Sequence, residues 1–180
     1  MSEYKPILEE IIDRLWVGDK EGYPIAERRG YSILAACKDG SPDCHRAVLG
    51  YTTLGAPKDK NYFFYRSDVK HMALNLIDVD DPAMIPAEVV DAGLRFMKER
   101  YDAGDKVFSH CIAGHTRGPT MMLMFLRAIG EMPDSFLGAE RKFRTLYPDY
   151  DPSVGMRQHA RNRWKSLPHF FKEQYATERT

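Results

Sequence analysis

No apolar run in this chain approaches the length that spans a bilayer. Tyr4, Lys5, Glu9 and Glu10 interrupt the N-terminus, so no secretory h-region is expected. An excess of one charge is also missing: 26 basic and 26 acidic side chains cancel, which removes the electrostatic case for nucleic acid or an acidic membrane as partner. Cysteine is scarce, and three of them, an odd number, fit a reducing compartment better than a disulfide framework. Internal repeats, low-complexity tracts and long linkers are absent, so residues 1–180 read as a single domain. With 43% hydrophobic and 12% aromatic residues the composition is globular. A monomer in the cytoplasm is the expectation.

Metal ligands are few as well. Cys37, Cys44 and His45 can be drawn as three zinc ligands, but no fourth lies nearby and the spacing matches no common site. Ordinary buried thiols are expected at 37 and 44, with a redox partnership to Cys111 left open. Neither metal nor cofactor is anticipated.

What is present centres on residues 107–120. Val107-Phe108-Ser109-His110 reads as a buried strand. A six-residue loop from Cys111 to Thr116 follows, with Gly114 near its middle. Arg117 closes it, and residues 118–129 read as a buried helix. A strand, tight loop and helix start gather backbone N–H groups and the helix dipole into one concavity, which suits an anion. The N–H groups of Ile112, Ala113, Gly114, His115, Thr116 and Arg117 would line it. Cys111 sits at its mouth, where such an environment favours a nucleophilic thiolate. Arg117 adds a planar fork that grips two phosphoryl oxygens at once.

His110-Cys111-Ile112-Ala113-Gly114-His115-Thr116-Arg117 resembles the His-Cys-x2-Gly-x2-Arg signature of the cysteine-dependent protein tyrosine phosphatases. Gly118-Pro119-Thr120 continues it in the manner of the dual-specificity branch. One departure stands out: the family has Ser or Thr directly after the arginine, and this chain has Gly118. That hydroxyl helps the thiolate leave when the phosphoenzyme is hydrolysed, so the second step depends on whether Thr116 or Thr120 substitutes.

The resemblance implies an α/β fold of the three-layer phosphatase type, with a central, mostly parallel sheet of about four or five strands flanked by helices. It implies metal-free hydrolysis of phosphate monoesters through a thiophosphoryl-cysteine intermediate, with His110 supporting the thiolate and Thr120 the loop. It also implies a general acid about thirty residues before the cysteine. Asp80 fits best, with Asp78 and Asp81 as alternatives and a helix-capping role open to one of the three. The loop carries no lysine, which favours phosphoprotein, or a small phosphate ester, over a polyphosphorylated inositide. A rhodanese-like sulfur transferase and a catalytically weak phosphate-binding module are the other readings.

Elsewhere the pattern predicts a strand or amphipathic turn at 7–12, a strand at 13–19, a helix at 21–30 and a strand at 31–37. A turn follows at 38–43, then an irregular connection over 50–70 that by resemblance walls the cleft. A strand at 72–77 and helices at 86–101, 136–146 and 153–165 complete the order. Arg157, His159, Arg161, Arg163 and Lys165 read as a solvated basic face, or a weak docking site for acidic substrate. Residues 172–180 are expected to fray.

Overall fold

In the computed structural model, residues 5–172 are described, and they form one sheet of six strands in the order β1-β2-β6-β3-β5-β4. The strands are β1 (Leu8–Ile12), β2 (Leu15–Gly18), β3 (Ser32–Ala35), β4 (Phe64–Arg66), β5 (His71–Leu74) and β6 (Val107–His110). The middle pairs β2–β6, β6–β3 and β3–β5 are parallel. Both edges are antiparallel hairpin partners, and these explain why six strands stand where four or five were expected. β1 reads weakly because its residues alternate little. β4 is three residues long inside the 50–70 stretch, which is otherwise irregular. The expected fraying falls, beyond Lys172, outside the described residues.

Strand alternation sorts side chains to two faces. Leu34 and Val107 point into the main core with α3 (Ala87–Asp102) and α4 (Arg117–Ala128). Ile33 and Phe108 face the other way, into a smaller cluster with Ala26 of α1 (Tyr23–Arg28). A third cluster, Ala35, Cys37, Cys44 and Ala73, packs against α2 (His45–Leu49).

α4 is the central helix. Met121 to Leu126 are fully buried, as expected for a helix apolar on every side, and each such side chain contributes about 1.5–3 kcal/mol relative to exposure. Pro119 is tolerated in its first turn because those N–H groups have no intrahelical acceptor. α5 (Phe136–Leu146) and α6 (Val154–Arg163) cover it, with Ser135 and Ser153 as N-caps accepting from Gly138 and Met156.

The expected basic face of α6 does not exist as one surface. His159 is buried, Arg157 chelates Glu140 and Arg163 bonds Asp91. Only Arg161 and Lys165 of that group are exposed. Pairing and burial break the face because α6 lies across α4 and the 78–84 segment.

Cys37 and Cys44 are joined in a disulfide, their Cα atoms 5.4 Å apart. This corrects the expectation of free buried thiols and removes the cysteine count as an argument for a reducing compartment. The 38–43 turn folds Cys44 back onto the end of β3, a proximity that spacing alone does not reveal. His45 is likewise engaged, with Nε2 2.7 Å from the Asn61 carbonyl and Nδ1 3.1 Å from the Tyr51 hydroxyl. It anchors the 51–61 connection. No helix among the described residues is long and apolar enough to cross a membrane.

Candidate active site

β6 delivers Cys111 to the C-terminal edge of the parallel strands, where open α/β sheets place their ligand crevices. Cys111 is 2% exposed and is the only cysteine outside the disulfide. The loop that follows is held from outside by its carbonyls. Ile112 accepts from the Lys20 N–H at 3.4 Å, Gly114 from the Tyr147 hydroxyl at 2.8 Å and His115 from the Asp151 N–H at 3.0 Å. Thr116 accepts from the N–H and hydroxyl of Thr120 at 2.9 and 2.6 Å. With those carbonyls drawn outward, the N–H groups from Ile112 to Thr116 find no protein acceptor among the described residues. Gly114 has φ +76°, and a Cβ there would crowd both Gly18 and the Tyr147 hydroxyl at 3.1 Å, so glycine is needed for conformation and for space.

The loop side chains mostly turn away from this concavity. Nδ1 of His115 lies 2.9 Å from the Asp149 carbonyl, and the Thr116 hydroxyl donates to the Asp151 carbonyl at 3.2 Å. The Thr120 hydroxyl donates to Thr116, so the protons of both candidate hydroxyls are directed to backbone carbonyls.

Arg117 begins α4 and reaches towards the 76–78 segment. Its Nη1 donates to the Leu76 carbonyl at 3.1 Å. Nε is buried without a hydrogen bond, 3.9 Å from the Asp78 carboxylate, which is an ion-pair distance but too long for a hydrogen bond. Leu76 therefore fixes one edge of the guanidinium. The three aspartates take separate places: Asp78 faces Arg117, Asp80 is exposed, and Asp81 caps the 3₁₀ turn Pro82–Met84 by accepting from the Ala83 N–H at 2.9 Å. A Cβ at Gly155 of α6 would overlap the Val79 carbonyl, so α6 packs directly on this segment.

Behind Cys111, His110 is fully buried between two parallel rings, Phe108 at 5.3 Å and Tyr23 at 5.9 Å between centroids. Its Nε2 lies 2.7 Å from Asp43 Oδ2. Asp43 also accepts from the Ser41 hydroxyl, and His71 Nε2 stands 3.5 Å from the same oxygen. Burial opposes the Asp43 charge, but the His110 charge and the hydrogen bonds from His110 and Ser41, with His71 close by, hold its carboxyl well below the usual carboxylate range. Sequence reasoning missed Asp43 and Tyr147. Asp43 reads as an ordinary turn residue, and Tyr147 as the end of a helix.

Among the described residues no group of three His, Cys, Asp or Glu side chains is placed to hold a metal.

No family model matches the sequence, and no curated protein matches it. Solved structures do. Human DUSP28 superposes with a TM-score of 0.59 at 15% identity, over 93% of this chain and 99% of that one. DUSP15 gives 0.61 at 13% identity, over 92% and 93%. A human tyrosine phosphatase-like serine/threonine/tyrosine-interacting protein gives 0.58 at 14%, over 88% and 95%. Over nearly its whole length, this chain has the fold of the dual-specificity phosphatases.

Proposed function

We propose that the chain is a cysteine-dependent phosphatase acting on phosphate monoesters of protein tyrosine, serine or threonine, or on small phosphate esters. One observation carries the reading. The carbonyls of Ile112, Gly114, His115 and Thr116 are bonded outward, and among the described residues the N–H groups from Ile112 to Thr116 have no protein acceptor, beside Cys111 and an Arg117 Nε that makes no hydrogen bond. That arrangement complements the equatorial oxygens of a phosphoryl group in transfer.

The Cys111 thiolate attacks phosphorus in line, forming the S–P bond as the P–O bond to the leaving group breaks. Asp80, exposed on its loop, gives its proton to the departing oxygen. Water then attacks the thiophosphoryl group, Asp80 takes the water proton, and phosphate leaves with Cys111 restored as thiolate. Arg117 and the loop amides hold the three peripheral oxygens throughout. Asp78, beside Arg117, is the alternative acid.

A second reading is a phosphate-binding module that turns over slowly. It is favoured by Gly118, which brings no hydroxyl, and by the engaged hydroxyls of Thr116 and Thr120. Rapid-quench mass spectrometry after mixing with an aryl phosphate tests both. The phosphatase reading predicts a transient phosphate adduct on Cys111 that decays as fast as substrate is consumed. An adduct that persists after the first turnover supports the binding module, and no adduct with no product overturns both.

A further inference from the structure

The proposed reaction leaves one buried charged cluster without a task. Asp43 is 2% exposed, belongs to the turn between β3 and α2, and lies 67 residues from His110 in sequence. Its backbone is fixed by the disulfide at the neighbouring Cys44 and by bonds from Cys44 N to the Ser41 carbonyl and Arg46 N to the Lys38 carbonyl, at 3.1 and 2.7 Å. A buried carboxylate is costly unless paired, and its pairing is specific. Among the described residues it is the only acidic group bonded to His110. The rings of Phe108 and Tyr23 stack on the imidazole, and the 2.7 Å bond to Asp43 fixes which edge of it faces the carboxylate. On its other edge, Nδ1 stands 3.4 Å from the Cys111 carbonyl.

We propose that Asp43 is a positioning residue for the nucleophile, fixing the Nε2 proton and the orientation of His110 so that the imidazole supports the Cys111 thiolate from behind. The inference rests on Cys111 being the nucleophile. The titratable groups facing His110 are Asp43 and His71 at one edge, Tyr23 on one face and Cys111 next in the chain. His71 is spoken for by the Ser67 hydroxyl, 2.6 Å from its Nδ1, and lies at the longer distance from Asp43. Tyr23 directs its own hydroxyl to Glu27 at 2.7 Å. Asp43 is thus the group that decides which His110 nitrogen carries the proton.

Alkylation of Cys111 by iodoacetamide, followed by intact mass across pH, tests this without any turnover. Cys111 is the only free thiol, so a single modification is read. Asp43→Asn preserves size and an acceptor but removes the charge. Its alkylation at neutral pH should slow about tenfold, with the pH dependence displaced to the alkaline side. Ser41→Ala, which deletes one hydrogen bond to Asp43, should move the profile the same way by less. Profiles of both variants that superpose on the native one, with melting lowered or not, overturn the proposal. If Asp43→Asn does not fold, Ser41→Ala decides alone. Displaced profiles in a protein that hydrolyses no phosphate ester would leave the positioning role standing and the phosphatase reading refuted.

Discussion

Gly118 lies so close under His110 that a Cβ on it would stand 2.6 Å from the His110 carbonyl carbon and 2.9 Å from the Cys111 nitrogen. The Ser109 hydroxyl, donating to the Gly118 carbonyl at 3.0 Å, ties the same two elements together. The departure from the family pattern at 118 is therefore a packing requirement: α4 approaches β6 more closely than a side chain allows. Gly118→Ser should lower stability by about 1–3 kcal/mol, the usual cost of overpacking, and should not accelerate dephosphorylation. Urea melts and single-turnover rates check this. Native stability with a faster second step would show that α4 yields easily.

Asp80 and Asp78 separate by leaving group. Asp80→Asn should slow hydrolysis of phenyl phosphate by about 10²–10⁴-fold, the usual worth of a general acid, and slow p-nitrophenyl phosphate less, since nitrophenolate needs little protonation. Asp78→Asn should cost no more than about tenfold on either substrate. The reverse ranking would assign the acid to the aspartate beside Arg117.

His159 links stability to pH. Burial, then the Arg163 charge, push its pKa down to about 4, whereas unfolded histidine titrates near 6.5. Between those values the unfolded chain binds the extra proton, so stability is fully present above about 6.5 and declines as pH falls towards 4. His159→Gln should flatten that part of the curve of melting temperature against pH. An unchanged slope would place the titrating group elsewhere.

The Cys37–Cys44 bridge closes a short loop, for which chain entropy gives about 2–3 kcal/mol. Cys37→Ala/Cys44→Ala should lose about that much in denaturant midpoint while Cys111 remains alkylatable. No loss would mean that the turn hydrogen bonds suffice by themselves.

The 107–128 region was legible because three signals coincide there: an apolar strand, a glycine-centred loop and a helix apolar all round. The order of the other helices was also legible, since Gly30, Ser135 and Ser153 mark their ends by simple backbone chemistry, but the five-residue α2 was not read. Of the edge strands, β4 was not legible because it has only three residues, and β1 was read only as a strand or an amphipathic turn because it has little alternation. Asp43 was hidden because a Ser-Pro-Asp turn looks the same whether its carboxylate faces water or a histidine distant in the chain. The disulfide was hidden for a related reason: seven residues of separation give no information on whether two sulfurs meet. The close approach at Gly118 is a relation between two elements, which no single residue type encodes.

Turnover of p-nitrophenyl phosphate by reduced native protein and by Cys111→Ser, each with and without a chelator, tests the central claim most directly. The account predicts hydrolysis that chelator leaves unchanged and that the serine variant loses. Activity that survives Cys111→Ser, or that chelator abolishes, would contradict it.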